Sequence, residues 1–254
     1  MDKILEKLKN LEKKVGNEIL VISDFSRLIF EQNINKSDLE KFFKKFINIF
    51  YNDERSIIFP AFISPSINQK IINLDNARSI TGIFSELFRN FNNVKRTESP
   101  YFSYCILGKE QKNFLKINPL YEWSDNSHLG WMEKKNVSCL ILGSYPANNP
   151  LVHRVEYKNK ELIKYRQLKK FTNQIIYQGK KKTHTQYFFE LKKNFNNMNK
   201  YYMQLFNNKK NIELDQINVE NFKIFQYKAD LLFKIYENQI LKNEIFQNGL
   251  KKTT

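Results

Sequence analysis

The spacing of apolar positions changes several times along this chain, and each change predicts an element. Over residues 2–15, Ile4, Leu5, Leu8, Leu11 and Val15 fall on one helical stripe with Lys and Glu elsewhere, which predicts an amphipathic helix. Gly16-Asn17 ends it. Residues 18–23 (EILVIS) are a short apolar run with β-branched members, hence a buried strand. Ser37-Asp38-Leu39-Glu40 fits a capping box, and Leu39, Phe42, Phe43, Phe46 and Phe50 follow at helical spacing, so 38–51 reads as a helix. Residues 55–63 (RSIIFPAFI) read as a second buried strand, ended by a Pro-containing segment. Residues 80–91 read as a helix with Phe84, Leu87, Phe88 and Phe91 on one side. Residues 102–107 and 137–142 are further apolar strands, separated by a polar, aromatic stretch of weak periodicity, 109–136. Residues 161–171 look helical and basic, 173–178 extended, and 184–247 carries long Lys/Asn-rich helical patterns. Strands and helices interleave, which predicts an α/β fold: a mixed central sheet flanked by helices. One domain is expected over 1–254, with 184–247 as C-terminal helices packed back on it.

Composition narrows the function classes. Of 254 residues, 41% are hydrophobic, enough for a sizeable core. Lys and Arg number 42 against 26 Asp and Glu, a net charge of +16 that favours anionic partners. An AT-rich genome would also inflate Lys, Asn, Ile and Phe, so part of the charge is compositional. Cys105 and Cys139 lie among apolar residues and read as buried, inert thiols. There is no disulfide framework and no Cys/His spacing for zinc, so no metal is expected. No apolar run approaches the ~18 residues of a membrane span, and the N-terminal segment lacks the apolar core of a signal peptide. A soluble, cytoplasmic protein is the expectation. Gly-rich phosphate loops are absent.

Few residues can exchange protons near neutral pH. There are three histidines, His128, His153 and His184. His153 follows the apolar run CLILG and a polar loop, and Glu156 stands three residues on. On a helix the two share a face and can hydrogen-bond, and a carboxylate beside a histidine sets its tautomer and raises its basicity. An ordinary surface pair has the same spacing. His184, in the basic run KKKTHTQ, reads as solvated.

Blocks in order along the chain carry a resemblance. VISDFSRL (21–28) resembles a V-H-S-x-L-S strand and loop; IIFPAFIS (57–64) resembles L-x-x-P-T-F; and DNARSITGIFSELFR (75–89) resembles D-x-x-x-S-x-x-G-x-L-x-E-x-F-R. Arg96 through Ser103 stands where the pattern is R-S-x-H-P-x-x-S-F. Residues 127–156 resemble S-x-x-x-L, an apolar strand, L-G, a loop and T-x-x-H-x-x-E, while YRQLKKF (165–171) fits Y-R-x-x-K. Together they resemble the aminoglycoside 3-N-acetyltransferase family over nearly the whole chain. Two departures stand out: Ser99 replaces the His of the antibiotic-modifying members, and Pro150 replaces the Thr before the catalytic His.

The resemblance implies transfer of acetyl from acetyl-CoA to an amine by direct attack in a ternary complex, with His153 as general base and Glu156 as its partner. It implies a coenzyme channel along Ser23, Asp24, Phe25, Ser26 and Arg27, with Arg96, Thr97 and Ser103 as further donors. Ser99, Tyr101, Trp123, Ser127 and His128 would border the acceptor. Asp75, Glu86 and Arg89 read as structural. Because the chain is basic and Ser99 lacks a titratable group, the expected acceptor is a nucleotide-linked amino sugar of surface-polysaccharide biosynthesis, with aminoglycoside modification as the alternative. A nucleic-acid-binding protein is the alternative of a different class; no zinc or helix-turn-helix signature supports it, so no nucleic-acid partner is expected. Homo-oligomerisation is left open.

Overall fold

The computed structural model describes residues 1–63, 71–196, 198–207 and 214–252. The main sheet has seven strands: β1 (Glu18–Ser23), β2 (Ser56–Pro60), β4 (Lys95–Arg96), β5 (Tyr104–Gly108), β6 (Ser138–Leu142), β10 (Asp215–Val219) and β11 (Phe222–Lys228). Their spatial order is β10-β11-β6-β1-β2-β5-β4. The central three, β6, β1 and β2, run parallel, and the strands outside them pair antiparallel. A second, three-stranded sheet places β3 (Ile71–Asn73) beside the hairpin of β7 (Arg166–Tyr177) and β8 (Lys180–Leu191). A short pair joins β9 (Phe195–Asn196) to β12 (Leu250–Lys251).

The central strands are apolar without alternation because both faces are covered. Ile19 and Val21 point into one core and Leu20 and Ile22 into the other. The first core is closed by α1 (Asp2–Glu12), α2 (Ser26–Glu31), α3 (Lys36–Phe50) and α4 (Ile83–Arg89), whose Phe42, Phe46, Phe84 and Phe88 are buried there. The second takes α5 (Gln111–Leu115), α6 (His128–Lys134), α7 (Leu151–Lys158), α8 (Asn199–Asn207), α9 (Ala229–Lys242) and α10 (Glu244–Asn248), together with the β7–β8 hairpin. Cys105 and Cys139 are buried in these strands, and burial pushes both thiols up to about 12.

Three expectations need correction. Residues 166–171 are not helical: they open β7, which continues unbroken through the segment expected to be extended. The turn explains it. Tyr177 pairs with Lys180, so Gln178-Gly179 is a two-residue hairpin loop with both residues at positive φ, 52° and 71°. The Asp75 carboxylate accepts both of their N–H groups, at 2.8 and 2.9 Å. Second, 184–247 is helical only in part: α8, α9 and α10 are helices, but strands occupy the rest of its regular structure. Residues 184–191 complete β8, and β10 and β11 form a hairpin on the main sheet; 197 and 208–213 lie outside the described residues. The aromatic run FKIFQYK is buried in register with β6, and that pairing overrides its Lys/Asn-rich surroundings. Third, the cap of α3 is Asn35, whose side chain accepts the Asp38 N–H at 2.9 Å, two residues before the Ser37 box. The Pro-containing segment after β2 begins at 64, outside the described residues.

Candidate active site

Because β1, β2 and β6 are parallel, their C-terminal ends share one edge of the sheet, where open α/β folds bind ligands. Gly143 makes the tight exit from β6. Its φ is +68°, and a Cβ there would lie 2.1 Å from the Asp24 carbonyl oxygen. The polar loop that follows ends at Asn149, which is buried. Its Oδ1 accepts the Leu151 N–H at 3.0 Å, and its Nδ2 donates to the Tyr227 hydroxyl at 3.1 Å. That bond set fixes where α7 begins, and therefore where His153 points.

His153 opens into a pocket of about 310 Å³. Phe62, Tyr101, Phe102, Trp123, Phe171 and Phe188 line it, with Arg166 and Glu190 as its charged groups among the described residues. The His153 side chain is 32% exposed, while Glu156 is fully buried. Their Nδ1 and Oε2 lie 3.0 Å apart, as the i, i+3 spacing requires. The rest of the carboxylate is held from outside the helix. Arg166 Nε sits 2.7 Å from Oε2, and Oε1 accepts from the Tyr165 hydroxyl at 2.7 Å and from the Tyr202 hydroxyl.

The electrostatics follow. Burial alone would raise the Glu156 carboxyl, but the Arg166 charge and the hydrogen bonds from His153 and Tyr202 outweigh it and hold the group at about 2. Burial lowers His153 below its ordinary value, and the nearby Arg166 charge adds to this, against the pull of Glu156. Nδ1 lies within reach of both Glu156 Oε2 and Arg166 Nη2, the latter at 3.2 Å; in the tautomer that gives its Nδ1–H to the ionised Glu156, the lone pair of Nε2 is free to act as a base. Trp123 packs on the ring at 5.5 Å between centroids. Arg154, next along α7, donates to the Trp123 carbonyl at 2.8 Å and ties that loop to the helix.

The sequence profile described as aminoglycoside 3-N-acetyltransferase matches residues 52–234. The chain belongs to that family. Its members are acetyl-CoA-dependent N-acetyltransferases, and this chain is one of them. Among solved structures, AAC-IIIb in binary complex with CoASH is 13% identical, covers 98% of each chain and superposes with a TM-score of 0.74. The YokD protein from Bacillus subtilis is 18% identical, covers 94% of this chain and 99% of its own, with a TM-score of 0.71. Sisomicin-bound AAC-VIa is 11% identical, covers 93% and 97%, with a TM-score of 0.73. These likenesses establish the fold. No curated protein matches the sequence.

Within this member of the acetyltransferase family, the sequence candidates divide. Tyr101 and Trp123 share the pocket with His153. Ser23 and Asp24 line an adjoining pocket of about 400 Å³, with Phe62 and Ile80 as the walls common to both. Ser23 Oγ is buried there without a hydrogen-bond partner among the described residues. The other three residues of that loop go elsewhere. Phe25 stacks on Phe84 in the core, Ser26 hydrogen-bonds Asp24, and exposed Arg27 pairs with Glu31 on a different concavity.

Arg96, Thr97 and Ser103 form an internal clasp away from the His153 pocket, and Arg96 also lines a separate concavity with Asp75 and Tyr177. Arg96 donates to the carbonyls of Ala61, Leu74 and Ala77 and to Ser103 Oγ, Ser103 Oγ donates to the Ala61 carbonyl, and Thr97 Oγ1 accepts the Tyr104 N–H. Ser99 is buried behind the pocket in a chain through Gln186 to Glu122, 3.0 and 2.9 Å long. His128 stands 3.8 Å from Glu122, sealed among Tyr104 and Phe114, and Ser127 caps α6. His184 is buried and meets Glu98 at 3.3 Å, so it is not solvated. Glu86 and Arg89 pair at 2.6 Å. Sequence reasoning missed Arg166, Tyr165 and Tyr202 as the groups around Glu156. The adjacent Tyr165-Arg166 in the YRQLKKF block was the available signal. Tyr202 had none.

Among the described residues no helix is long and apolar enough to cross a membrane, and no group of three or more His, Cys, Asp or Glu is placed to hold a metal ion.

Proposed function

We propose that the chain transfers acetyl from acetyl-CoA to the amine of an amino sugar, with His153 as general base. The observation that carries this is the buried, ionised Glu156 at 3.0 Å from His153 Nδ1, behind a ring that opens into the pocket. His153 Nε2 takes a proton from the ammonium, and the freed amine nitrogen attacks the thioester carbonyl carbon. That first proton passes from His153 to solvent; as the C–N bond forms, the now cationic nitrogen gives its extra proton to Nε2, and when the oxyanion collapses and the C–S bond breaks the imidazolium passes it to the departing thiolate, leaving a neutral amide and a free thiol. Both cysteines are buried, with thiols raised to about 12, which disfavours a cysteine acyl-enzyme.

The pocket around Ser23 suits the donor. Its unpartnered hydroxyl can meet an amide or carbonyl of the pantetheine arm, and Asp24, Ser144 and Asn148 supply polar walls. The pocket also touches Pro150, one turn before His153, so an arm lying there ends near the base. The CoASH complex of AAC-IIIb supports the donor.

For the acceptor, the family and the sisomicin complex of AAC-VIa favour an aminoglycoside over a nucleotide-linked sugar. Among the described residues that line the pocket, the one guanidinium, Arg166, is occupied by Glu156 and forms no open phosphate site. The test is thiol release from acetyl-CoA with amino sugars of both kinds. Amine-dependent release that disappears in His153→Asn supports the reading; full release in that variant removes His153 from the chemistry.

A further inference from the structure

Resting on the acetyltransferase reading, we infer that Tyr202 is a positioning residue: acting through Glu156, together with Tyr165, it selects the tautomer of His153 that can serve as a base. Two tautomers compete at this site. Nδ1 of His153 lies 3.0 Å from Glu156 Oε2 and 3.2 Å from Arg166 Nη2. An ionised carboxylate only accepts and a guanidinium only donates, so these neighbours favour opposite tautomers. With hydrogen on Nδ1, the imidazole donates to Glu156 and Nε2 keeps its lone pair. With hydrogen on Nε2, Nδ1 accepts from Arg166 and no lone pair is left for the incoming ammonium.

The outcome depends on where Glu156 Oε2 points. In the second tautomer the lone pair of Nδ1 would face an anionic oxygen at 3.0 Å, so that tautomer gains only if the carboxylate turns away. The phenols oppose the turn. Tyr165 donates to Oε1 at 2.7 Å, Tyr202 donates to the same oxygen, and the two hydroxyls lie 2.7 Å apart. Rotating the carboxylate strains both bonds, and Glu156 is fully buried, so water does not replace them. Burial pushes both phenols above their ordinary range, which keeps them donors. Tyr202 is itself held firmly. It is buried, and its ring packs on Tyr236 and Phe246 at 4.7 and 5.4 Å between centroids. It lines neither the His153 pocket nor the pocket at Ser23, so its route to the reaction runs through Glu156.

The test reads the tautomer directly, by ¹⁵N NMR of the three histidines above the acid limb, alongside kcat and KM for thiol release. His153→Asn assigns the His153 signals. In the parent, His153 should carry its hydrogen on Nδ1. Tyr202→Phe should move it toward the Nε2–H tautomer and lower kcat about two- to tenfold, the weight of one hydrogen bond, with KM for acetyl-CoA unchanged. Tyr165→Phe should act in the same direction, and it supplies the reading if Tyr202→Phe does not fold. Tyr236→Phe is the packing control: its ring touches Tyr202 but its hydroxyl has no hydrogen-bond partner among the described residues, so neither readout should move. A folded Tyr202→Phe that keeps the parent's tautomer, or one whose tautomer changes while kcat stays at the parent's value, overturns the inference and leaves the acetyltransferase reading standing. A tautomer change in a protein that releases no thiol with any amine supports the control of His153 by Tyr202 and overturns the acetyltransferase reading instead.

Discussion

Two histidine–carboxylate pairs flank Trp123, and they differ in almost everything that matters for chemistry. His153 and Glu156 lie 3.0 Å apart, with the imidazole open to the pocket. His128 and Glu122 lie 3.8 Å apart, both sealed in the core, and neither nitrogen of His128 has a hydrogen-bond partner among the described residues. Glu156 has Arg166, Tyr165 and Tyr202 around it and stays ionised down to about 2. Glu122 has no guanidinium. Burial raises its carboxyl, and the contacts from His128, Ser99 and Gln186 only offset part of that. A buried carboxylate thus orients a base only where a counter-charge keeps it anionic. Arg166 makes the difference between the pairs, not the histidine–glutamate spacing.

The widest test of the contrast is to remove each histidine. His153→Asn should lower kcat by ~10²–10⁴, the usual weight of a general base, with little change in melting temperature. His128→Asn should leave kcat within about threefold, far short of that loss, and act on stability alone. Comparable kinetic losses in the two variants would erase the distinction.

Removing the counter-charge comes next. Arg166→Gln leaves Glu156 buried without its cation, which should cost about 3–5 kcal/mol of stability, readable by urea denaturation. Stability within about 1 kcal/mol of the parent would mean that the ion pair is not holding Glu156.

A smaller effect is on the pH profile. His153 is shifted below the ordinary ~6.5, so the acid limb of kcat/KM should fall below that pH. His153→Asn should abolish the limb. A limb above pH 7 would place the base elsewhere.

The smallest effect belongs to Glu122. Its folded pKa is raised, so its contribution to stability is full below the unfolded value, near ~4.3, and is lost as pH rises through the folded value. Glu122→Gln should therefore keep or raise the melting temperature at pH 7.5 while lowering it relative to the parent at pH 4. A clear fall at pH 7.5 would show that the Glu122 charge is compensated after all.

The strands β1, β2, β5 and β6 were legible because double burial leaves continuous apolar runs, and α1, α3 and α4 because their apolar stripes have the helical period. Strand β7 was not. Residues 167–170 are exposed on both faces, so no alternation marks them as a strand, and their lysines mimic a solvated helix. The site shows the same split. His153 with Glu156, and Trp123 with Tyr101, were named from the sequence and meet at one pocket. Thr97, Ser99, Ser103, Ser127 and His128 were named on the same grounds and lie buried away from it, because a motif position does not reveal whether a hydroxyl faces a cavity or a carbonyl.

The sequence by itself determined what is local: the period of each buried stripe, the tight turn at Gly143, and the three-residue spacing that puts His153 over Glu156. These depend on backbone geometry a few residues long. Only the tertiary structure decided which groups surround that carboxylate. Tyr202 is 46 residues from Glu156 in sequence, and Arg166 arrives at the start of a hairpin whose position depends on packing against the second core. The ionisation of Glu156 depends on the distances to those groups and on exclusion of water, and both exist only once the hairpin and α8 have closed over α7.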